Sequence, residues 1–196
     1  MQAIFLDTET TGLDCTKHVA IDIAFEVVDM TTNKSKVRYQ SLIKHPLEIW
    51  QLADPTSLLI NGYTFEQISV GKEVQTARDE IISIFTDLGI ERGKAVFICQ
   101  NPAFDRGFFM QLIDVYTQER LGWPYHWLDF ASMYWSLLAK QMVDTKSQFP
   151  ESLNISKNEI AKVYNLPEEN TPHSAMQGVE HLMLCYQTVF GLKFTS

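Results

Sequence analysis

Two carboxylates near the N-terminus carry the first chemical signal in this chain. Asp7 and Glu9 are two positions apart in Phe5-Leu-Asp-Thr-Glu-Thr-Thr-Gly-Leu13. Before them, Ala3 to Leu6 form an apolar run that predicts a short buried strand. Residues i and i+2 of a strand point to the same face, so both acids lie together at the end of a rigid element. Like charges held this way repel unless a cation sits between them, and hard cations such as magnesium prefer oxygen donors. A D-x-E spacing by itself is common on solvated turns. The strand before it and the Thr10-Thr11-Gly12 turn after it favour a cation site.

Two further groups stand where an α/β layout delivers them to the same place. Asp105 follows the second apolar strand, Ala95 to Cys99, within Asn101-Pro-Ala-Phe-Asp105. Open α/β sheets commonly place ligands beyond strand ends, although an acid here also suits a helix cap. His173 follows Pro172, and histidine is the side-chain type that exchanges protons near neutral pH. The other four histidines, at 18, 45, 126 and 181, have no motif around them.

The elements that must position these groups follow from periodicity. Ile21, Ile23, Phe25 and Val27 alternate with Asp22, Ala24 and Glu26, which predicts a half-buried strand. Across the turn at 29–33, Val37, Tyr39, Ser41 and Ile43 complete a hairpin. Lys44 to Tyr63 reads as irregular. Val74, Ala77, Ile81, Ile84, Phe85 and Leu88 fall at helical spacing, ending at Gly89. Because a helix separates them, the strand at 95–99 is expected parallel to the first. Helical text follows from about Phe104 to Arg120, a short strand over 125–128, and a helix bearing Phe130, Met133, Leu137 and Leu138. The last helix is expected near Thr171-Pro172, with Ala175, Val179, Leu182 and Tyr186 as its apolar stripe. This is an α/β sheet with helices on its faces, and no linker divides residues 1–196, so one domain is expected.

Composition bounds the function classes. The 196 residues are 45% hydrophobic and 20% charged, with neither a signal-peptide layout nor a membrane-length apolar run, so a cytoplasmic location and no membrane partner are expected. Three scattered cysteines, 15, 99 and 185, show no zinc spacing and suit reduced thiols. A net charge of -8 argues against a protein that grips long nucleic acid through a broad basic face. A small pocket that takes one strand end, with divalent ions supplying the positive charge, stays compatible. Arg120, Trp123 and Trp127 could form a strand-binding surface, although a core role suits the tryptophans better.

Taken in order, FLDTETTGL, NPAFD and PHSAMQG resemble the three motifs of the DEDDh (DnaQ-like) family of 3'-5' exonucleases, which includes the proofreading subunit of bacterial replicative polymerase, RNase T and oligoribonuclease. The segments LLINGYTFEQI and LDFASMYWSLLAK also resemble family text, so the likeness spans roughly residues 3 to 190. The resemblance implies a ribonuclease-H-like mixed five-stranded sheet flanked by helices, with two Mg2+ or Mn2+ ions. Asp7 would bridge both ions, Glu9 would hold the first, Asp105 the second, and His173 would be the general base. Thr10, Thr11, Gly12 and Leu13, with Asn101 and Phe104, would line the terminal nucleotide. The implied substrates are single-stranded or frayed 3' ends of DNA or RNA, releasing 5'-mononucleotides, with a polymerase or a second copy of the chain as a further partner.

One position departs from the pattern. The family places an aspartate five residues after the motif histidine, and that position is Gly178. Glu180 should face away, roughly 160° around the helix. His181, one turn on, could offer an imidazole, Gln177 is a weaker ligand still, and Asp129 or Asp114 could reach in from elsewhere. Three readings stay open: an active enzyme with a depleted first ion site, one that recruits a substitute ligand, or a degenerate module that binds ends or partners without cutting.

Overall fold

The computed structural model describes residues 1–195. Five strands form one mixed sheet in the order β3-β2-β1-β4-β5. β1 (Gln2–Thr10) pairs antiparallel with β2 (Ala20–Asp29), which pairs antiparallel with β3 (Lys34–Leu42). β4 (Ala95–Cys99) runs parallel to β1, and β5 (Trp127–Asp129) parallel to β4. β1 therefore extends through Asp7 and Glu9 and keeps both acids on the face of Phe5.

Both faces of the sheet are covered. Ile4, Leu6, Phe25 and Phe97 pack with Ile81 and Phe85 of α4 (Val74–Asp87) and Phe108 and Phe109 of α5 (Pro102–Leu112). On the other face, Ala3, Phe5 and Ile98 meet Phe130 of α7 (Phe130–Thr145), Ile160 of α8 (Lys157–Val163) and Val179 and Leu182 of α9 (Ala175–Phe190). Each buried Ile, Leu, Val or Phe among these contributes about 1.5–3 kcal/mol. Phe97 stacks on Trp127 at 4.0 Å and Trp123 is buried beside Phe85, so both tryptophans are core residues.

Several elements differ from the sequence expectation. β2 is almost wholly buried, including Asp22 and Glu26, because α9 lies across its second face. The region after Lys44 holds two short helices, α1 (Leu47–Trp50) and α2 (Pro55–Asn61), and Asp54 caps α2 by accepting from the backbone N–H groups of Thr56 and Ser57. A third, α3 (Phe65–Ser69), opens with a Thr64/Gln67 capping box. The helical text after Asn101 divides into α5 and α6 (Val115–Arg120), since Asp114 caps a new start. α9 begins at Ala175 rather than at Thr171-Pro172. The backbone N–H of His173 is drawn away to Ile60 O at 3.1 Å, and the Thr171–Pro172 peptide is cis.

α8 answers to a signal in the text. Ser156 accepts from the backbone N–H of Glu159, an S-x-x-E start just ahead of Ile160-Ala161.

Candidate active site

β1, α5, α8 and the segment leading into α9 meet around a cavity of about 250 Å³ beyond the strand ends. Asp7, Glu9, Phe104, Asp105 and His173 all line it. The three sequence motifs thus arrive at one place. Asp105, in the first turn of α5, is buried and accepts the Thr8 hydroxyl at 2.9 Å. α5 starts at Pro102 because Asn101 adopts a left-handed conformation, its backbone N–H donating to Asp129 at 3.0 Å. Phe104 packs on Phe108 and the core with one side and faces the cavity with the other.

The turn after β1 is held in shape by its own hydrogen bonds and by α2. Thr10 Oγ1 donates to Gly12 O at 2.7 Å, and Thr11 Oγ1 accepts from Val19 N at 3.0 Å. Asn61 of α2 donates to Thr10 O, and Asp54 N to Thr11 O. Gly12 is required by close packing: a Cβ there would meet the His18 ring at 2.4 Å. The His18 ring lies over Gly12, and Leu13 points to solvent, 80% exposed. Asn101 is likewise at the surface.

The site carries more negative charge than its surroundings neutralise. Burial, and then the neighbouring carboxylates, raise Asp7 to about 6 against the attraction of Lys157. Glu9 is raised to about 9, by burial first and by Asp7 next. Asp105 is pushed well above the carboxylate range by burial and by Asp7. Hydrogen bonds to Asp22 also organise the site from beneath. Fully buried on β2 opposite Glu9, Asp22 Oδ2 accepts from Tyr63 Oη at 2.6 Å, Gln40 Nε2 at 2.8 Å and Ala175 N at 3.0 Å. That last bond ties the start of α9 to the sheet next to His173.

Two residues that sequence reasoning did not single out complete the cavity. Lys157 opens α8 with its Nζ at 3.5 Å from Asp7 Oδ1, 3.1 Å from Glu169 Oε2 and 3.3 Å from Gly178 O. Burial works against its ammonium, but Asp7 and Glu169 hold it above the ordinary lysine range. Glu169 is 7% exposed, and its backbone N–H donates to Asn158 of α8 at 2.9 Å.

None of the substitutes weighed for the missing aspartate enters the cavity. Asp129 caps α7, Asp114 caps α6, and Glu180 is exposed and paired with Arg38. His181 is buried, with Nε2 on Pro167 O at 2.9 Å and Nδ1 at 4.0 Å from Glu169. Gln177 belongs to another hollow, beside Pro167 and Leu184.

Oxygen donors of this kind fit a hard divalent ion chemically. They do not form a closed cage: among the described residues, no three His, Cys, Asp or Glu groups converge on one metal position. Among the described residues, too, no helix is long and apolar enough to cross a membrane.

Comparison with known proteins agrees with this layout. The model of the RNase_T family, described as exonuclease, matches residues 4–185. No curated protein matches the chain. Solved structures share the fold. Cell-death related nuclease 4 superposes with a TM-score of 0.71 at 16% identity, covering 97% of this chain and 64% of that one. A structure of exonuclease I gives 0.75 at 17% identity, covering 98% and 41%. A zinc-bound E. coli exonuclease I–ssDNA complex gives 0.73 at 16% identity, covering 97% and 40%. The chain thus spans about two fifths of exonuclease I. The sheet order and flanking helices are those of the ribonuclease-H-like exonuclease fold. With the family matched over nearly its whole length, the chain belongs to the RNase_T exonuclease family.

Proposed function

We propose that this chain, acting as one domain, is a divalent-metal-dependent 3'-5' exonuclease that hydrolyses phosphodiester bonds at the 3' end of DNA or RNA and releases 5'-mononucleotides. The observation that carries the reading is the convergence of Asp7, Glu9, Asp105 and His173 on one cavity from three separate stretches of sequence. Buried acids raised this far above their ordinary range cost stability, so a merely structural descendant gains nothing by keeping them together.

Asp7, Glu9 and Asp105 would hold Mg2+ or Mn2+. A bound divalent ion supplies a more acidic water and charge stabilisation at the scissile phosphate. His173, held at the cavity edge through its backbone bond to Ile60, takes the proton of the attacking water. Phe104 packs against the terminal base or sugar. Thr10, Thr11, Gly12 and Leu13, with Asn101, would line the terminal nucleotide, Leu13 and Asn101 from exposed positions beside the cavity. The test of polarity uses one oligonucleotide labelled at its 5' end and one at its 3' end. The reading expects a ladder of shortening products from the first and immediate release of labelled mononucleotide from the second. The reverse pattern, or internal cuts, contradicts it.

A second reading, a module that binds nucleic-acid ends or partner proteins without cutting, draws on one observation: Lys157 already pairs with Asp7 at 3.5 Å. It expects oligonucleotide binding with no turnover under either metal.

A further inference from the structure

Lys157 lies where three oxygen groups of different elements face one point. Asp7 comes from β1, Glu169 from the loop between α8 and α9, and the carbonyl of Gly178 from α9. The lysine is itself well covered, its side chain 11% exposed, and the surroundings hold it in place. Asn158, next to Lys157, accepts the backbone N–H of Glu169 at 2.9 Å. A mobile surface ammonium that happened to reach a carboxylate would have neither its burial nor this support.

Gly178 belongs to the same arrangement. A Cβ at this position would meet the Asp7 carboxylate at 2.3, 2.5 and 2.9 Å. A side chain there requires Asp7 or α9 to shift. Glycine at 178 and lysine at 157 therefore form one unit: the first makes room for Asp7 to turn toward the second.

We infer that the Lys157 ammonium is a built-in cation that replaces one divalent ion at this site, with Glu169 as its second counter-charge, so that the cavity takes a single divalent ion. The inference rests on the metal-dependent reading above but is tested apart from it. An ammonium differs from a metal in two ways that matter here. It brings one charge rather than two, and it neither coordinates nor acidifies a water.

The experiment counts ions without nucleic acid, by electron paramagnetic resonance of free Mn2+ during titration of the full chain. The wild type should bind one Mn2+ per chain. Lys157→Met keeps an aliphatic stem for packing but removes the charge, and should bind two. Lys157→Gln is the second variant should the first fail to fold. Lys157→Met combined with Glu169→Gln should return the count to one, because the freed position loses its second carboxylate. A wild-type count of two, which needs no variant, overturns the inference, as does a count that stays at one when Lys157 is replaced. Cleavage of an end-labelled oligonucleotide is read in parallel. A chain that counts one ion and cuts nothing keeps the inference and loses the nuclease reading, whereas one that cuts with two bound ions does the reverse.

Discussion

The Asp7 carboxylate fills the space in which a side chain at Gly178 would begin, 2.3 Å from the Cβ that glycine lacks. Read from sequence, Gly178 is a missing ligand. In the structure it is a contact that lets Asp7 turn toward Lys157.

The first prediction follows from that contact. Gly178→Ala forces Asp7 or α9 to shift and should cost about 1–3 kcal/mol, as overpacking does. At this chain length each kcal/mol lowers Tm by about 2–4 °C. Gly178→Asp should behave the same way and give no large gain in nuclease rate while Lys157 is present. Thermal unfolding and single-turnover cleavage of both variants check this.

Stability should depend on pH with a definite sign. Asp7 and Glu9 have folded-state values raised above their ordinary ones, to about 6 and about 9. The folded chain therefore holds protons that the unfolded chain has released, and stability falls as pH rises from about 4 to about 9. Without divalent ions, Tm should drop steadily across that window. Mn2+ should raise Tm more at pH 8.5 than at pH 5.5, because the ion competes with those protons. Glu9→Gln should raise the metal-free Tm at pH 8 and abolish most of the Mn2+ effect. Calorimetry at several pH values checks each sign.

Asp22 gives a prediction that sequence did not suggest. Asp22→Ala leaves Tyr63 Oη, Gln40 Nε2 and Ala175 N without their shared acceptor and should cost about 1–3 kcal/mol or more. It should also slow catalysis by loosening the α9 start beside His173, lowering kcat more than it raises KM. Steady-state kinetics alongside denaturant unfolding separates the two effects.

His173→Ala should lower the cleavage rate by about 10²–10⁴-fold, the range for losing a positioned base, while leaving oligonucleotide Kd near the wild-type value. Binding by anisotropy in Ca2+ and cleavage in Mg2+ distinguish loss of a base from loss of a site.

Much of this was legible from periodicity and spacing. The apolar runs at 3–6 and 95–99 became neighbouring parallel strands because an intervening helix leaves that as the favoured pairing. Asp7, Glu9, Asp105 and His173 met because β1, α5 and the approach to α9 all open at one end of the sheet. Less legible were residues whose role depends on distant partners. Asp22 looked like the polar side of a half-buried strand, since nothing local reveals that α9 covers it. Lys157 and Glu169 sit in text of ordinary polarity. The Ser156-x-x-Glu159 signal could have located α8, but not what its first side chain would reach. Nothing local to Gly12 reveals that the His18 ring lies over it.

The most direct test of the nuclease reading is 3' shortening of a 5'-labelled oligonucleotide as Mg2+ or Mn2+ is raised from zero into the millimolar range. The wild type and Asp7→Ala are compared at equal protein concentration. Metal-dependent 3' shortening by the wild type, saturating with ion and lost in Asp7→Ala, is the predicted result. Equal rates for the two proteins, or no shortening at any concentration of either metal, would contradict it.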